Sequence, residues 1–219
     1  SLRGALPTCS GAAPRASVGD YDIVPSAAVG TGLSNYAISY HNGTLSVGQK
    51  ALDITANNQS KTYGATFTFA GTEFSTLGLV NGDTVSSVTL TSSGAAAGAS
   101  VGDYDIVPSA AVGTGLGNYD ISYHNGTLSV GQKALDITAN NQSKTYGDTF
   151  TFAGTEFSQV GLEPGDSITS VTLTSAGAAA GASVGDYDIV PSAAVGTGLG
   201  NYSISYHNGT LSVGQKALD

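Results

Sequence analysis

The residues that could do chemistry recur at fixed intervals. The three histidines, His41, His124 and His207, are 83 residues apart. Ser122 and Thr127 lie close to His124, and a hydroxyl beside an imidazole is the start of an activated nucleophile. On an alternating strand, however, these residues share a face simply because the polar positions alternate, so His124 reads as an exposed turn histidine. In Gly102-Asp-Tyr-Asp105 two carboxylates fall on one strand face, as a calcium site would want. Calcium takes six to eight oxygens from converging segments, and no run of further acids accompanies Asp103 and Asp105, so a solvated strand face is expected. Lys61 with Asn57, Asn58 and Glu73 has the composition of an intramolecular Lys–Asn isopeptide bond, which would require all the partners to be buried together. Gly113-Thr-Gly-Leu-Gly117 has the glycines of a phosphate loop but is followed by neither a lysine nor a helix signal, and reads as a surface loop. Tyr63, Tyr104, Tyr119 and Tyr123 could stack on sugars, although alternation turns most of them inward, towards a core. No catalytic, cofactor-binding or metal-ligating residue is therefore assigned, no cofactor is expected, and ligand-binding residues stay unknown.

The composition narrows the classes further. The 219 residues carry 7 Lys+Arg against 16 Asp+Glu, a net charge of −9. So acidic a chain offers no footprint for phosphate backbones, and nucleic acid is not an expected partner. No apolar run is long enough to span a bilayer, so no membrane insertion is expected in this segment. Cys9 is the only cysteine, so an intrachain disulfide is impossible. The 31 glycines point to many turns rather than long helices.

The elements that must position these residues are repeated. Ala-Ser-Val-Gly-Asp-Tyr-Asp-Ile-Val-Pro-Ser begins at Ala16, Ala99 and Ala182, and the copies Ile54–Asp136 and Ile137–Asp219 differ at ten positions. The period fixes the length of the unit but not its phase. Lys50–Ala56 alternates as a half-buried strand and follows Gly48-Gln49 with no room for a linker, so the boundary is placed near Lys50 and Lys133. The small-residue stretch Gly94–Ser100 is the alternative boundary. This division gives a partial repeat at residues 1–49, full modules at 50–132 and 133–215, and the start of another at 216–219.

Within a module, Lys50–Ala56, Thr66–Ala70, Thr84–Thr91 and Val101–Val107 read as strands. Tyr119–His124 and Thr127–Val130 flank Asn125-Gly126, which predicts a two-residue type I′ hairpin with Tyr119, Ile121, Tyr123, Leu128 and Val130 buried on one face. Thr72–Leu79 is the one helix candidate, two turns at most. The module is expected to be mainly β.

Several strings in fixed order resemble a known family: Ile54-Thr-Ala-Asn-Asn-Gln-Ser-Lys-Thr-Tyr-Gly64, Gly78-Leu-Val-Asn-Gly-Asp83, Ala99-Ser-Val-Gly-Asp-Tyr-Asp105, and Asn118-Tyr followed by Ile121-Ser-Tyr123 and Asn125-Gly-Thr-Leu128. They are similar to the MBG-type repeat, close to the YDG repeats, of large secreted bacterial adhesins such as filamentous-haemagglutinin-like exoproteins. The resemblance implies a β-grasp-like module, with an Ig-like β-sandwich as the alternative, arranged as an extended rod at the bacterial cell surface. It implies a structural stalk that projects an adhesive region for attachment or biofilm formation, and no enzyme. The alternative is a repeat that is itself a weak glycan- or protein-binding module acting by multivalency, with an extracellular glycan or a host or biofilm matrix component as partner. Pro7, Cys9, Pro14 and Arg15 depart from the other copies, so Ser1–Arg15 fits the pattern least.

Overall fold

Strand alternation sets the architecture. In the computed structural model, which describes residues 2–218, the partial repeat forms β1 (Leu2–Thr8), β2 (Gly19–Gly30) and β3 (Gly43–Val47). The next copy forms β4 (Lys50–Ala56), β5 (Gln59–Thr62), β6 (Phe74–Leu77), β7 (Thr84–Thr91), β8 (Gly102–Thr114), β9 (Tyr119–His124) and β10 (Gly126–Gly131). The last copy repeats them as β11 (Lys133–Ala139), β12 (Gln142–Thr145), β13 (Phe157–Val160), β14 (Ser167–Thr174), β15 (Gly185–Thr197), β16 (Tyr202–His207) and β17 (Gly209–Gly214). The only helical elements among the described residues are single 3-10 turns, so the chain is mainly β. Contacts divide it into two compact units, Ser1–Asn57 with Phe69–Thr91 and Ile106–Thr127, and Asn58–Thr68 with Ser92–Asp105 and Leu128–Asp219. Each unit thus holds parts of two consecutive repeats.

The second unit contains one whole repeat, from β11 to β17. Its first sheet runs β13-β11-β16, with β11 antiparallel to β13 and parallel to β16 from Lys133↔Tyr202 to Thr138↔His207. Its second sheet runs β12-β17-β15-β14, with β17 parallel to β12 and antiparallel to β15. The core lies between the sheets: Leu135 and Ile137 from the first and Val171, Ile189 and Leu211 from the second are almost fully buried. Each such aliphatic side chain contributes about 1.5–3 kcal/mol by leaving water. The chain crosses from sheet to sheet twice, β11 to β12 at Asn140-Asn141 and β16 to β17 at Asn208. Asn141 ties the two crossings together, its Oδ1 accepting from the Thr210 N–H at 2.8 Å.

In the first unit the same alternation holds. Leu52, Ile54 and Ala56 of β4 are buried, as are Val88 and Leu90 of β7 and Ile106 of β8. β4 lies parallel to β9 and antiparallel to β6, and β7 is antiparallel to β8. The partial repeat forms a sheet in the order β1-β2-β3. Its Ile23, Leu45 and Val47 are half-buried, where their counterparts Ile106, Leu128 and Val130 are buried.

Three expectations are corrected. Tyr119–His124 and Thr127–Val130 do not form a hairpin: β9 pairs with β4, β10 pairs with β5, and Gly126 has no positive φ. Tyr119, Leu128 and Val130 are buried as expected, but Ile121 is only half-buried and Tyr123 is 38% exposed. Gly126 is needed for close approach instead, because a Cβ there would lie 2.4 Å from the Ala56 carbonyl oxygen. Thr72–Leu79 is not a helix but holds strand β6, since Phe74 and Thr76 alternate inward and the ladder to β4 supplies their backbone partners. Thr66–Ala70 joins no ladder; Phe67 instead donates its N–H to the Ala95 carbonyl at 2.9 Å.

Two substitutions in the last repeat test this geometry by thermal or urea unfolding. Gly209→Ala, whose Cβ would meet the Ala139 carbonyl oxygen at 2.4 Å, is expected to destabilise by about 1–3 kcal/mol. Ala193→Gly should instead stabilise by about 0.5–1 kcal/mol, because Ala193 holds φ 48° at the bulge of β15, where a Cβ is strained.

Candidate functional site

The residues singled out in the sequence are consumed in separate local contacts. His124 reaches Asp53 on the neighbouring parallel strand, Nε2 to Oδ1 2.9 Å, and His207 repeats this with Asp136 at 3.0 Å, both pairs in the open. Each imidazole is thus matched to a carboxylate and not to a serine hydroxyl. Asp103 accepts from the Ser129 hydroxyl at 2.7 Å, and Asp186 from Ser212 at 2.6 Å, which makes these acids cross-strand partners. Among the described residues no group of three or more His, Cys, Asp and Glu could hold a metal ion.

The isopeptide set is likewise dispersed. Lys144 donates to the carbonyls of Asp148, at 2.9 Å, and of Ala179, while Asn141 is engaged with Thr210. Its counterpart Lys61 bonds the carbonyls of Ala65 and Ala96, and loss of solvent lowers its pKa. Glu156 points back along its own loop and accepts the N–H groups of Ala153, Gly154 and Thr155 at 2.8, 2.9 and 3.1 Å. Burial pushes this carboxyl up, but the N–H groups outweigh it and hold the pKa below its ordinary value; Glu73 behaves in the same way. Tyr104 lies over Gly94, where a Cβ would come within 2.6 Å of the ring, and its hydroxyl donates to the Ser100 carbonyl. Tyr123 accepts the Ala111 N–H at the bulge of β8.

What the structure does bring together is the junction between consecutive repeats. In the second unit, Tyr63, which follows β5, and Tyr202, which opens β16, both donate to Asp166 Oδ2, at 2.9 and 2.6 Å. Their rings meet edge to face with centroids 5.5 Å apart. Burial first, then the bond to Asp166, push the Tyr202 phenol up to about 12. The bond to Asp166, with burial second, raises Tyr63 as well. Gln132, just after β10, donates to the carbonyls of Gly200 and Tyr202 at 3.2 and 3.0 Å, and the Val101 N–H reaches Asn201 Oδ1 at 3.0 Å. Lys133 pairs with Glu163. The first unit repeats part of this arrangement 83 residues earlier, Gln49 to the Gly117 and Tyr119 carbonyls, Val18 N–H to Asn118, and Tyr119 to Asp83, with Val80 in the place of Glu163. Both phenols stay protonated at neutral pH and so act as permanent donors to the carboxylate.

The model of the MBG domain (YGX type) matches residues 52–129 and again residues 135–212. The chain belongs to the MBG domain family. No curated protein matches it. Both matches take in a Tyr-Gly pair, Tyr63-Gly64 in the first MBG domain and Tyr146-Gly147 in the second. The first of these tyrosines is the one that reaches Asp166.

Sequence reasoning missed this junction because it weighed each candidate within its own repeat. Tyr63 and Asp166 are 103 residues apart, more than one full period. No signal in the sequence singles these residues out, because the two full copies differ at only ten positions and almost every residue is retained alongside them.

Glu156→Gln gives a pH test of the loop. A carboxyl with a lowered folded-state pKa contributes stability above its ordinary value of 4.5, and that contribution disappears as pH falls through the lowered folded-state value. Wild-type protein should therefore lose stability in acid more steeply than Glu156→Gln, while the variant should be less stable at pH 7. Urea unfolding at pH 7 and pH 3 measures both.

Proposed function

We propose that these MBG repeats form a structural spacer in a bacterial surface adhesin, holding an adhesive region away from the cell. The observation that supports the reading is the junction: Tyr63 reaches Asp166, Gln132 reaches the carbonyls of Gly200 and Tyr202, and Val101 reaches Asn201, so consecutive copies are tied to each other by several polar contacts. A tandem array in which each repeat touches its nearest neighbours is the quasi-one-dimensional logic of spacer proteins. The reading assigns the chain no catalytic role, no cofactor and an extracellular place at the cell surface. No helix among the described residues is long and apolar enough to cross a membrane. Within this proposal the module is a small two-sheet sandwich rather than a β-grasp, because a core shared between two sheets leaves no place for a packed helix.

The spacer reading requires extension. Compact 83-residue modules should each advance about 30–40 Å, so small-angle scattering of the 219-residue chain should give a longest dimension of about 80–110 Å. A value near the roughly 50 Å of a single 219-residue globule would overturn it. In parallel, saturable binding on a glycan array or to whole cells, abolished by a loop substitution, would transfer the function to a multivalent binding module.

A further inference from the structure

Four Asn-Gly pairs occur in the chain, beginning at Asn42, Asn81, Asn125 and Asn208. In three of them the glycine opens a strand: Gly43, Gly126 and Gly209 are the first residues of β3, β10 and β17. Gly126 and Gly209 are buried, and a Cβ on either would meet the carbonyl oxygen of Ala56 or Ala139 at 2.4 Å, so the peptide before each is confined at the crossing between sheets. Asn81-Gly82 is held differently. φ is 59° at Asn81 and 83° at Gly82, and the Asp83 N–H closes on the Val80 carbonyl at 2.9 Å, which is the form of a type I′ turn. The Tyr119 hydroxyl pins both ends of the turn, accepting the Val80 N–H at 2.9 Å and donating to Asp83 at 2.8 Å. The two central residues are exposed, and neither the Asn81 amide nor the Gly82 N–H has a hydrogen-bond partner among the described residues. Their counterparts Pro164 and Gly165 are also exposed in the second unit, where Tyr63 stands against Asp166, so the exposure belongs to the turn itself.

We infer that Asn81 is a site of spontaneous modification, where the exposed turn converts asparagine to aspartate and isoaspartate. In the I′ turn the Gly82 nitrogen points away from the Asn81 side chain. Flipping the single peptide between them gives a type II′ turn with Asn81 ψ at about −120°, which eclipses that nitrogen with Cβ and brings it to Cγ. Asn81 keeps its φ, and Gly82 accepts the reversal of its own φ because it has no side chain to clash. The turn ends can stay pinned by Tyr119 throughout. After losing its proton to hydroxide, the Gly82 nitrogen attacks Cγ; the new C–N bond forms, the Cγ–Nδ2 bond breaks, and ammonia leaves with a proton from water. Water then opens the resulting succinimide at either carbonyl, giving aspartate from one and isoaspartate, with an extra backbone methylene, from the other. Each event adds a negative charge two residues from Asp83. The next repeat has no reactive pair here, since Pro164 takes the place of Asn81. The inference stands whether or not the array serves as a spacer.

The test incubates the 219-residue chain in mildly alkaline buffer and follows each asparagine by peptide mass spectrometry, with isoaspartate-specific methyl transfer to distinguish the two products. In the folded chain Asn81 should convert at least about tenfold faster than Asn125 and Asn208, whose reaction requires the strand crossing to open and not a surface turn. In concentrated urea all three should convert at similar rates, since each is followed by glycine. Gly82→Ala should slow conversion of Asn81 in buffer and in urea alike, because a methyl group beside the attacking nitrogen hinders ring closure. Equal rates at the three positions in the folded chain, the same preference for Asn81 in urea, or aspartate formed without isoaspartate would each overturn the proposal.

Discussion

The parallel pairing of a repeat's first strand with its penultimate one is the constraint on which the rest of the module depends. A parallel neighbour cannot be reached by a tight turn, so everything from β12 to β15 serves as the connection that returns the chain beside β11. Because β11 and β16 then cross together into the second sheet as β12 and β17, the two crossings must lie against each other. That proximity leaves no room for a side chain at Gly209 and gives Asn141 its partner in Thr210. The parallel arrangement also fixes polarity: β11 and β16 begin at one end of the repeat, and β12 and β17 finish at the other.

The junction follows from that polarity. Tyr63 and Gln132 follow the ends of β5 and β10, which are neighbouring parallel strands, so they leave one repeat side by side. Tyr202, Asn201 and Asp166 stand at the starts of β16 and β14, where the next repeat begins. Asp166, taking two phenols at once, is the point at which the period of the sequence becomes a contact in space. A carboxylate held by two neutral donors is desolvated without needing a cation, which suits a chain with few basic residues.

Legibility in the sequence tracked the range of the interaction. Leu52, Ile54, Val88, Leu90 and Ile106 were readable because alternation is local and one face of each strand is buried. The Asn125-Gly126 hairpin was not, because a dipeptide that favours a tight turn also suits a crossing between sheets; which one forms depends on β4, some 70 residues upstream. The helix expected over Thr72–Leu79 failed for a related reason: Glu73 satisfies the preceding N–H groups through its side chain, and β4 offers a ladder that a two-turn helix cannot outweigh. His124, Lys61 and Asp103 each find their partner on another strand or loop, which spacing within a motif does not show, and the Tyr63–Asp166 contact crosses a repeat boundary and has no trace within any single copy.

The near-identity of the copies has a cost in chain entropy during folding. Every first strand waits for a partner 69 residues downstream, Tyr119 for Lys50 and Tyr202 for Lys133. β4 and β11 have the same sequence, and β9 differs from β16 at one position, Asp120 against Ser203. β4 paired with β16 would form almost the same ladder as β4 paired with β9. The swapped loop is longer by one period, and loop closure penalises that by only about 0.7 kcal/mol. Fidelity in such a chain therefore rests on order in time, with each repeat closing on its own last strands before the next copy is complete.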